Sequence, residues 1–288
     1  MKIYYWNVVP NFGDLINPWL WPKVLPGLTA GGCPKTNNGI LESPGELLVG
    51  IGTLINQHFP KAKRSIVVGT GVGYGKLPIF GDNVKVYCVR GPRSAHALGL
   101  PRSQGIIDPG ILVKEYCSGS DEKHCEFSFM PQVSSVRNCR GAWEKVCKKL
   151  GLGYIDPRSP VDDTVMRISH SGTLITESMH GAIVAEALRV PWIPVVSRSE
   201  ILSFKWHDWC ESIGVEYRPV QLWTLNDPEN PSFRQKMKTA ATFPLAMSQL
   251  RGALKRTPTL GSEAIIDDKV AQLKSVLDVI QRDENGAR

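Results

Sequence analysis

Short apolar runs that end in glycine-rich or polar turns recur along the first third of the chain. Lys2 to Trp6 alternates as a strand does and turns polar at Asn7. Val9-Pro10-Asn11-Phe12-Gly13-Asp14 reads as a loop, because Pro, Asn and Gly interrupt regular structure. Asp14 stands where an N-cap would, ahead of Leu15, Ile16, Trp19 and Leu20. The opening unit is therefore predicted as strand, loop and helix. Leu47–Ile51, Ser65–Val68 and Val84–Val89 follow, ended by Gly52, by Gly69–Gly75 and by Arg90-Gly91-Pro92-Arg93, and Ile106-Ile107 runs into Asp108-Pro109-Gly110. β-Branched runs bounded in this way read as buried parallel strands. Their spacing suits an open α/β sheet.

Between Tyr116 and Cys125 the composition shifts. Ser118-Gly119-Ser120-Asp121-Glu122-Lys123 is small and polar, as a linker is. A second series begins at Phe127–Met130. Ala142–Leu150 reads as a helix, Thr173–Thr176 as a strand, His180–Leu188 as a helix and Trp192–Val196 as a strand. Trp206–Ile213 and Ser232–Leu254 follow as helices. In a last helix, Ser262–Gln281, the residues Ile265, Ile266, Val270, Leu273, Val276, Leu277 and Ile280 recur at helical spacing. The division expected is residues 1–117, 125–260 and a C-terminal helix, 261–288, that packs back on the first domain. The fold class is α/β, with two doubly wound halves and ligands in the crevice between them, beyond the carboxyl ends of the strands.

The chain has 288 residues, a length that favours two domains. A net charge of +7 favours anionic partners. No Lys/Arg run reaches the length of a nucleic-acid tail. The seven Cys contain no C-x-x-C pair, so zinc-finger spacing is absent and reduced thiols in a cytosol are the simplest reading. No run of about 18 apolar residues occurs, so no membrane span is expected. Arg234, Lys236, Lys238, Arg251, Lys255 and Arg256 enrich one stretch in positive charge. It is either a solvated helix face or a surface that rests on an anionic membrane.

The strongest local pattern is Leu174-Ile175-Thr176-Glu177-Ser178-Met179-His180-Gly181, a buried strand running through a tight polar turn into a helix. A helix start offers unpaired N–H groups and partial positive charge, which together bind anions. Gly181 allows close approach, and His180 is placed as a general acid or a charged ligand for phosphate, unless a nearby carbonyl simply satisfies it. Arg90 and Arg93 lie just past a strand end, either as bidentate partners of carboxylate or phosphate or as solvated loop residues. Asp14, beside Asn11, serves as a base for a sugar hydroxyl, as an N-cap, or both. Gly71 belongs to a glycine-rich loop that lets backbone approach a cleft. Trp206 and Trp209, three apart on one helical face, form a sugar platform or pack inward.

Taken in order, Asn11-Phe12-Gly13-Asp14-Leu15-Ile16-Asn17-Pro18, Gly69-Thr70-Gly71, Arg90-Gly91-Pro92-Arg93-Ser94, Asp108-Pro109-Gly110 and Glu177-Ser178-Met179-His180-Gly181 with Ala185-Glu186-Ala187 resemble the polysaccharide pyruvyl transferase family. The resemblance covers roughly the first 200 residues, and the nearest subgroup is the bacterial succinoglycan-type enzymes. It implies a GT-B-like pair of Rossmann-type domains, phosphoenolpyruvate as donor, and as acceptor a sugar or lipid-linked oligosaccharide with two suitable hydroxyls. His180 and Arg90 match the family. Its Arg-x-His element falls on Ser178-Met179-His180, with Ser178 in place of the Arg.

The site expected on these grounds has His180 and Asp14 as acid and base. Arg90, Arg93, Gly181, Ser178 and Gly71 hold the donor, and Asn11, Trp206 and Trp209 hold the acceptor. No cofactor and no metal ligand set is expected, and the need for a divalent ion stays open. The location is the cytoplasm, with peripheral contact on the inner membrane. Two other readings stand beside this one. The Gly181…Glu186-Ala187…Pro191 pattern is also similar to the donor half of GT-B glycosyltransferases, where a Glu binds ribose. A glycan- or anion-binding protein without turnover would share the fold.

Overall fold

The computed structural model describes residues 1–29, 41–137, 139, 141–226 and 232–286. The chain divides into two compact units. The first comprises Met1–Val113, Leu202–Glu216 and Gly261–Arg288, and the second Lys114–Ile201 and Tyr217–Leu260.

The first unit is built on β1 (Lys2–Tyr4), β2 (Glu42–Val49), β3 (Lys61–Val68) and β4 (Val84–Cys88), all parallel and hydrogen-bonded in the order β1-β2-β3-β4. Helix α1 (Phe12–Val24) follows β1, and the short α2 (Pro92–Ala97) follows β4. In β2 and β3 the buried residues are confined to Leu47–Val49 and Ser65–Val68, and the preceding residues carry Glu42, Glu46, Lys61 and Lys63 at the surface or near it. That is why hydrophobic pattern alone shows only the second half of each strand. Ile106 and Ile107 form no strand. Val89 bridges to Gly105, and the chain then closes into a 3-10 turn over Pro109–Glu115, with Gly110 N donating to Asp108 Oδ1 at 2.9 Å. Among the described strands of this sheet the order never reverses, so the doubly wound expectation does not describe it.

The second unit is built on β5 (Cys125–Met130), β6 (Gly153–Tyr154), β7 (Ser171–Thr176), β8 (Trp192–Val196) and β9 (Val220–Gln221). All pair in parallel, in the order β6-β5-β7-β8-β9. Within the unit that is 2-1-3-4-5, an order that reverses between β5 and β7 and leaves a crevice outside their carboxyl ends. Helices α3 (Val133–Arg137), α4 (Ala142–Leu150), α5 (Val161–Ser169) and α6 (Met179–Ala187) connect the strands, and α8 (Phe233–Ala253) follows β9. Phe129, Ile175, Ile193 and Val195 from the sheet pack with Trp143 and Val146 of α4 and with Ala246 and Leu250 of α8.

The contiguous division expected from composition misses one return of the chain. Helix α7 (Ser203–Ser212) leaves the second series and groups with the first unit. The C-terminal helix α9 (Glu263–Gly286) is also part of the first unit. Of its seven predicted apolar positions, Ile266, Val270, Leu273, Leu277 and Ile280 are buried, while Ile265 is 39% exposed. Arg64 of β3 clamps its far end by donating to both oxygens of Glu284, at 2.9 and 2.5 Å.

Candidate active site

In the second unit the sequence places polar residues where the sheet order leaves its crevice. β5 ends at Met130 and is followed by Gln132. β7 ends at Thr176 and is followed by Glu177, Ser178 and His180. Glu177 is fully buried. Its Oε2 accepts from Gln132 N at 3.1 Å and its Oε1 from Ser197 N, just past β8, at 2.8 Å. One carboxylate thus stitches the ends of three strands with two charge-assisted bonds.

Ser178 is the N-cap of α6, and its Oγ accepts from Gly181 N at 3.2 Å. A Cβ on Gly181 would lie 2.8 Å from Met130 Sδ and 3.0 Å from Thr176 Oγ1, so the glycine is there to let α6 sit against the strand ends. His180, half-buried, occupies the second helical position of α6, in the first turn where helix N–H groups have no partner inside the helix. Four groups read from the sequence, Glu177, Ser178, His180 and Gly181, therefore meet at the crevice. Sequence reasoning missed Gln132, Ser134 and Arg198 on the same edge. Arg198 follows β8 as Arg90 follows β4, and the rule that singled out one cation past a strand end applies to both.

In the first unit the structure corrects several expectations. The N-cap of α1 is Asn11 rather than Asp14, which lies in the first turn and accepts from Asn11 Nδ2 at 2.7 Å. Asn17 of the same segment is structural. It is buried, its Oδ1 accepts from Trp21 Nε1 and Ile51 N, and its Nδ2 donates to Ile51 O. Arg90 was expected on the donor and is instead fully buried. It donates through Nε to Asp208 Oδ2 at 3.0 Å, through Nη1 to Thr53 Oγ1 at 3.0 Å and Gly52 O at 3.3 Å, and through Nη2 to Val72 O at 3.3 Å. Four of its five donors are engaged inside the unit, so it holds loops together rather than facing a ligand.

Gly71 serves the same purpose, because a Cβ there would stand 2.2 Å from Arg90 Cζ. Gly69, at φ 78°, faces Pro109 in the same way, with 2.1 Å to Cγ. Arg93 is 45% exposed and pairs with Glu211 at 2.9 Å. Trp206 and Trp209 do sit together, with ring centroids 6.2 Å apart, but both are fully buried and offer no ring face to a sugar.

Near Arg90 stands a small polar group that includes two residues the sequence did not single out. Asp14 Oδ1 lies 3.9 Å from where a Cβ on Gly52 would stand. Lys205 of α7 lies within electrostatic reach of Arg90 and Asp14. Burial first, and Arg90 second, bring its ammonium down to about 8, against the opposing pull of Asp14. Tyr74, with the left-handed φ of 59° that non-glycine residues avoid, has its hydroxyl pushed up by burial, with Arg90 and Asp14 acting in opposite senses.

Burial pushes the thiols of Cys88 and Cys147 up to about 12, which keeps them protonated and inert. Cys33 lies outside the described residues. One group of described residues has ligand atoms close enough for a cation. These are Glu122, His124 and His170, within 4.8 Å of one another. They lie at the amino ends of β5 and β7, the opposite edge from His180. Among the described residues no helix is long and apolar enough to cross a membrane.

Residues 31–199 match the family model of the polysaccharide pyruvyl transferases. The succinoglycan biosynthesis protein ExoV of Rhizobium meliloti (strain 1021) is 35% identical over 98% of this chain and 99% of its own. Among solved structures, the rubredoxin oxygen:oxidoreductase of the anaerobe Desulfovibrio gigas aligns with 50% of this chain and 40% of its own. At 11% identity and a TM-score of 0.23, that likeness carries no weight.

Proposed function

The chain belongs to the polysaccharide pyruvyl transferase family, and from that premise we propose that it moves a pyruvyl group from phosphoenolpyruvate to an exopolysaccharide sugar, closing a ketal. The relative that aligns end to end is a succinoglycan biosynthesis protein, which supports an exopolysaccharide or its lipid-linked precursor as acceptor. The observation that carries the reading is the crevice of the 2-1-3-4-5 sheet, where Glu177, Ser178 and His180 surround the start of α6. This order supports a Rossmann-like second unit, and such crevices bind anionic ligands at a helix start.

The donor carries a phosphate and a carboxylate on a vinyl group. Protonation of its CH2 makes C2 electrophilic. A sugar hydroxyl then adds to C2, phosphate leaves with the C2–O electrons, and a second hydroxyl closes the ketal with loss of its proton. We assign the acid to His180 and phosphate to the start of α6. Asp14, oriented by Asn11, is the base for the hydroxyl. Lys205 and Tyr74 join it as polar groups of the same patch. No step calls for a redox cofactor. A cytoplasmic location, where thiols stay reduced, is part of the same proposal.

Glu186 weakens the nucleotide-sugar alternative. It is fully buried, accepts from Trp192 Nε1 at 2.8 Å and from Arg189 Nη1 at 2.9 Å, and so braces the unit where a ribose ligand was needed.

The test is thermal unfolding with phosphoenolpyruvate and, separately, with a panel of nucleotide sugars. A ligand that binds the native state raises the midpoint once its concentration passes its dissociation constant. A shift with phosphoenolpyruvate alone is expected. A shift with a nucleotide sugar alone overturns the reading.

A further inference from the structure

Three buried polar atoms at the crevice of the second unit have no hydrogen-bond partner among the described residues. They are Gln132 Oε1, Ser134 Oγ and Arg198 Nε. Buried polar groups are nearly always satisfied, so three orphans on one sheet edge call for an explanation. They belong to a single connected patch. Gln132 N and Ser197 N donate to the two oxygens of Glu177. The Ser135 and Ser197 hydroxyls lie 3.4 Å apart. Ser134 and Arg198 are the chain neighbours of that pair.

Arg198 is also held from behind. Its Nη2 donates to Asn226 Oδ1 at 3.1 Å and Leu225 O at 3.4 Å, which fixes the guanidinium plane while Nε stays unused. A buried, oriented guanidinium Nε–H is suited to one oxygen of an anion.

We propose that Arg198, Ser134 and Gln132 form a carboxylate-binding subsite beside the start of α6. Arg198 Nε–H and the Ser134 hydroxyl donate to the carboxylate. The Gln132 amide, turned end over end, presents its NH2 in place of Oε1. The Glu177 carboxylate is held in place by two backbone N–H groups.

The division of labour follows from chemistry. A helix start takes a compact tetrahedral phosphate through backbone N–H groups, whereas the two oxygens of a flat carboxylate are met here by separate side-chain donors, Arg198 Nε–H and the Ser134 hydroxyl. The subsite rests on phosphoenolpyruvate being the donor, and it names which end of that molecule each part of the crevice holds. It also assigns Arg198 a role in telling a phosphorylated three-carbon acid from phosphate alone.

The experiment compares wild type with Arg198→Lys and Ser134→Ala by thermal unfolding, titrating phosphoenolpyruvate and, separately, inorganic phosphate. Arg198→Lys keeps the charge and removes the Nε–H donor, and Ser134→Ala is a small change that guards against a folding defect. Both variants are expected to unfold near the wild-type temperature without ligand. In Arg198→Lys, half-maximal stabilisation by phosphoenolpyruvate should need about 10- to 100-fold more ligand, the loss of one charged hydrogen bond. Phosphate should act on wild type and variant alike.

If phosphoenolpyruvate stabilises both variants as it does wild type, the subsite is wrong and the donor reading stands. If phosphate binding falls in parallel, the carboxylate assignment is wrong. If wild type responds to a nucleotide sugar and not to phosphoenolpyruvate, the donor reading fails and the subsite with it.

Discussion

Arg90 Nε donates to Asp208 Oδ2 at 3.0 Å, and neither side chain is exposed to solvent at all. Asp208 takes two more bonds, from Ser94 N at 2.9 Å and Ser94 Oγ at 2.5 Å. The pair joins α7 to the turn after β4, and Gly91 permits it, since a Cβ there would stand 2.2 Å from Asp208 O. Breaking one side of a buried pair leaves a charge without its partner, which costs about 3–5 kcal/mol. Asp208→Ala should therefore lower the unfolding free energy of the first unit, read from urea denaturation, by that order. The double variant Arg90→Met, Asp208→Leu should recover part of the loss. A single Asp208→Ala protein as stable as wild type would show that the pair does not hold the unit.

His180 and Ser178 separate chemistry from structure at one helix start. His180→Ala should lower kcat by about 10²- to 10⁴-fold, the range of a lost general acid, with an unchanged thermal midpoint. Ser178→Ala should instead lower stability by about 1 kcal/mol through the lost cap. Steady-state rates and thermal unfolding of the two variants check this. A His180→Ala enzyme with wild-type turnover removes the acid assignment.

How much of this was legible in the sequence depends on what each pattern reports. The β7–turn–α6 unit was readable because Leu174 and Ile175 mark the buried end of its strand and its helix opens with a capping Ser and a Gly. The β5–β7 reversal was not, because strand order arises from long-range pairing that hydrophobic period does not encode. Arg90 and Arg198 show the limit most plainly. Both follow a strand end, and nothing local reveals that Asp208, 118 residues away in sequence, encloses one while the other keeps a donor unused. Trp206 and Trp209 were rightly placed on one helical face. Which way that face turns is set by packing within the first unit, and the chain's return to that unit at Leu202 leaves no mark in composition.

Lys205 gives the stability of the first unit a pH dependence with a definite sign. Its ammonium falls from the ordinary 10.5 to about 8 on folding. Between those values the unfolded chain binds more protons than the native one, so stability rises with pH across that window. Lys205→Met removes this titration. The variant should be more stable than wild type at about pH 7, and the difference should close as pH approaches about 10.5. Denaturant midpoints of both proteins across that range make the test, and a difference that does not vary with pH excludes Lys205 as its source.

Helix α8 presents a surface suited to an anionic membrane, which bears on a lipid-linked acceptor. A capping box between Ser232 and Gln235 fixes its start. One turn apart on its first turns, Phe233 is 78% and Met237 59% exposed, and Arg234, Lys236 and Lys238 around them are exposed as well. Apolar side chains ringed by cations enter the headgroup region together, with each Lys or Arg near an anionic surface worth about 1 kcal/mol. In flotation with phosphatidylserine-rich vesicles at low salt, the protein should rise with the lipid, and high salt should release it. Replacing Phe233 and Met237 with Ser should reduce flotation without altering the thermal midpoint, since neither side chain is buried. Protein that stays in solution at low salt, or a double variant that floats as wild type does, removes this surface from consideration.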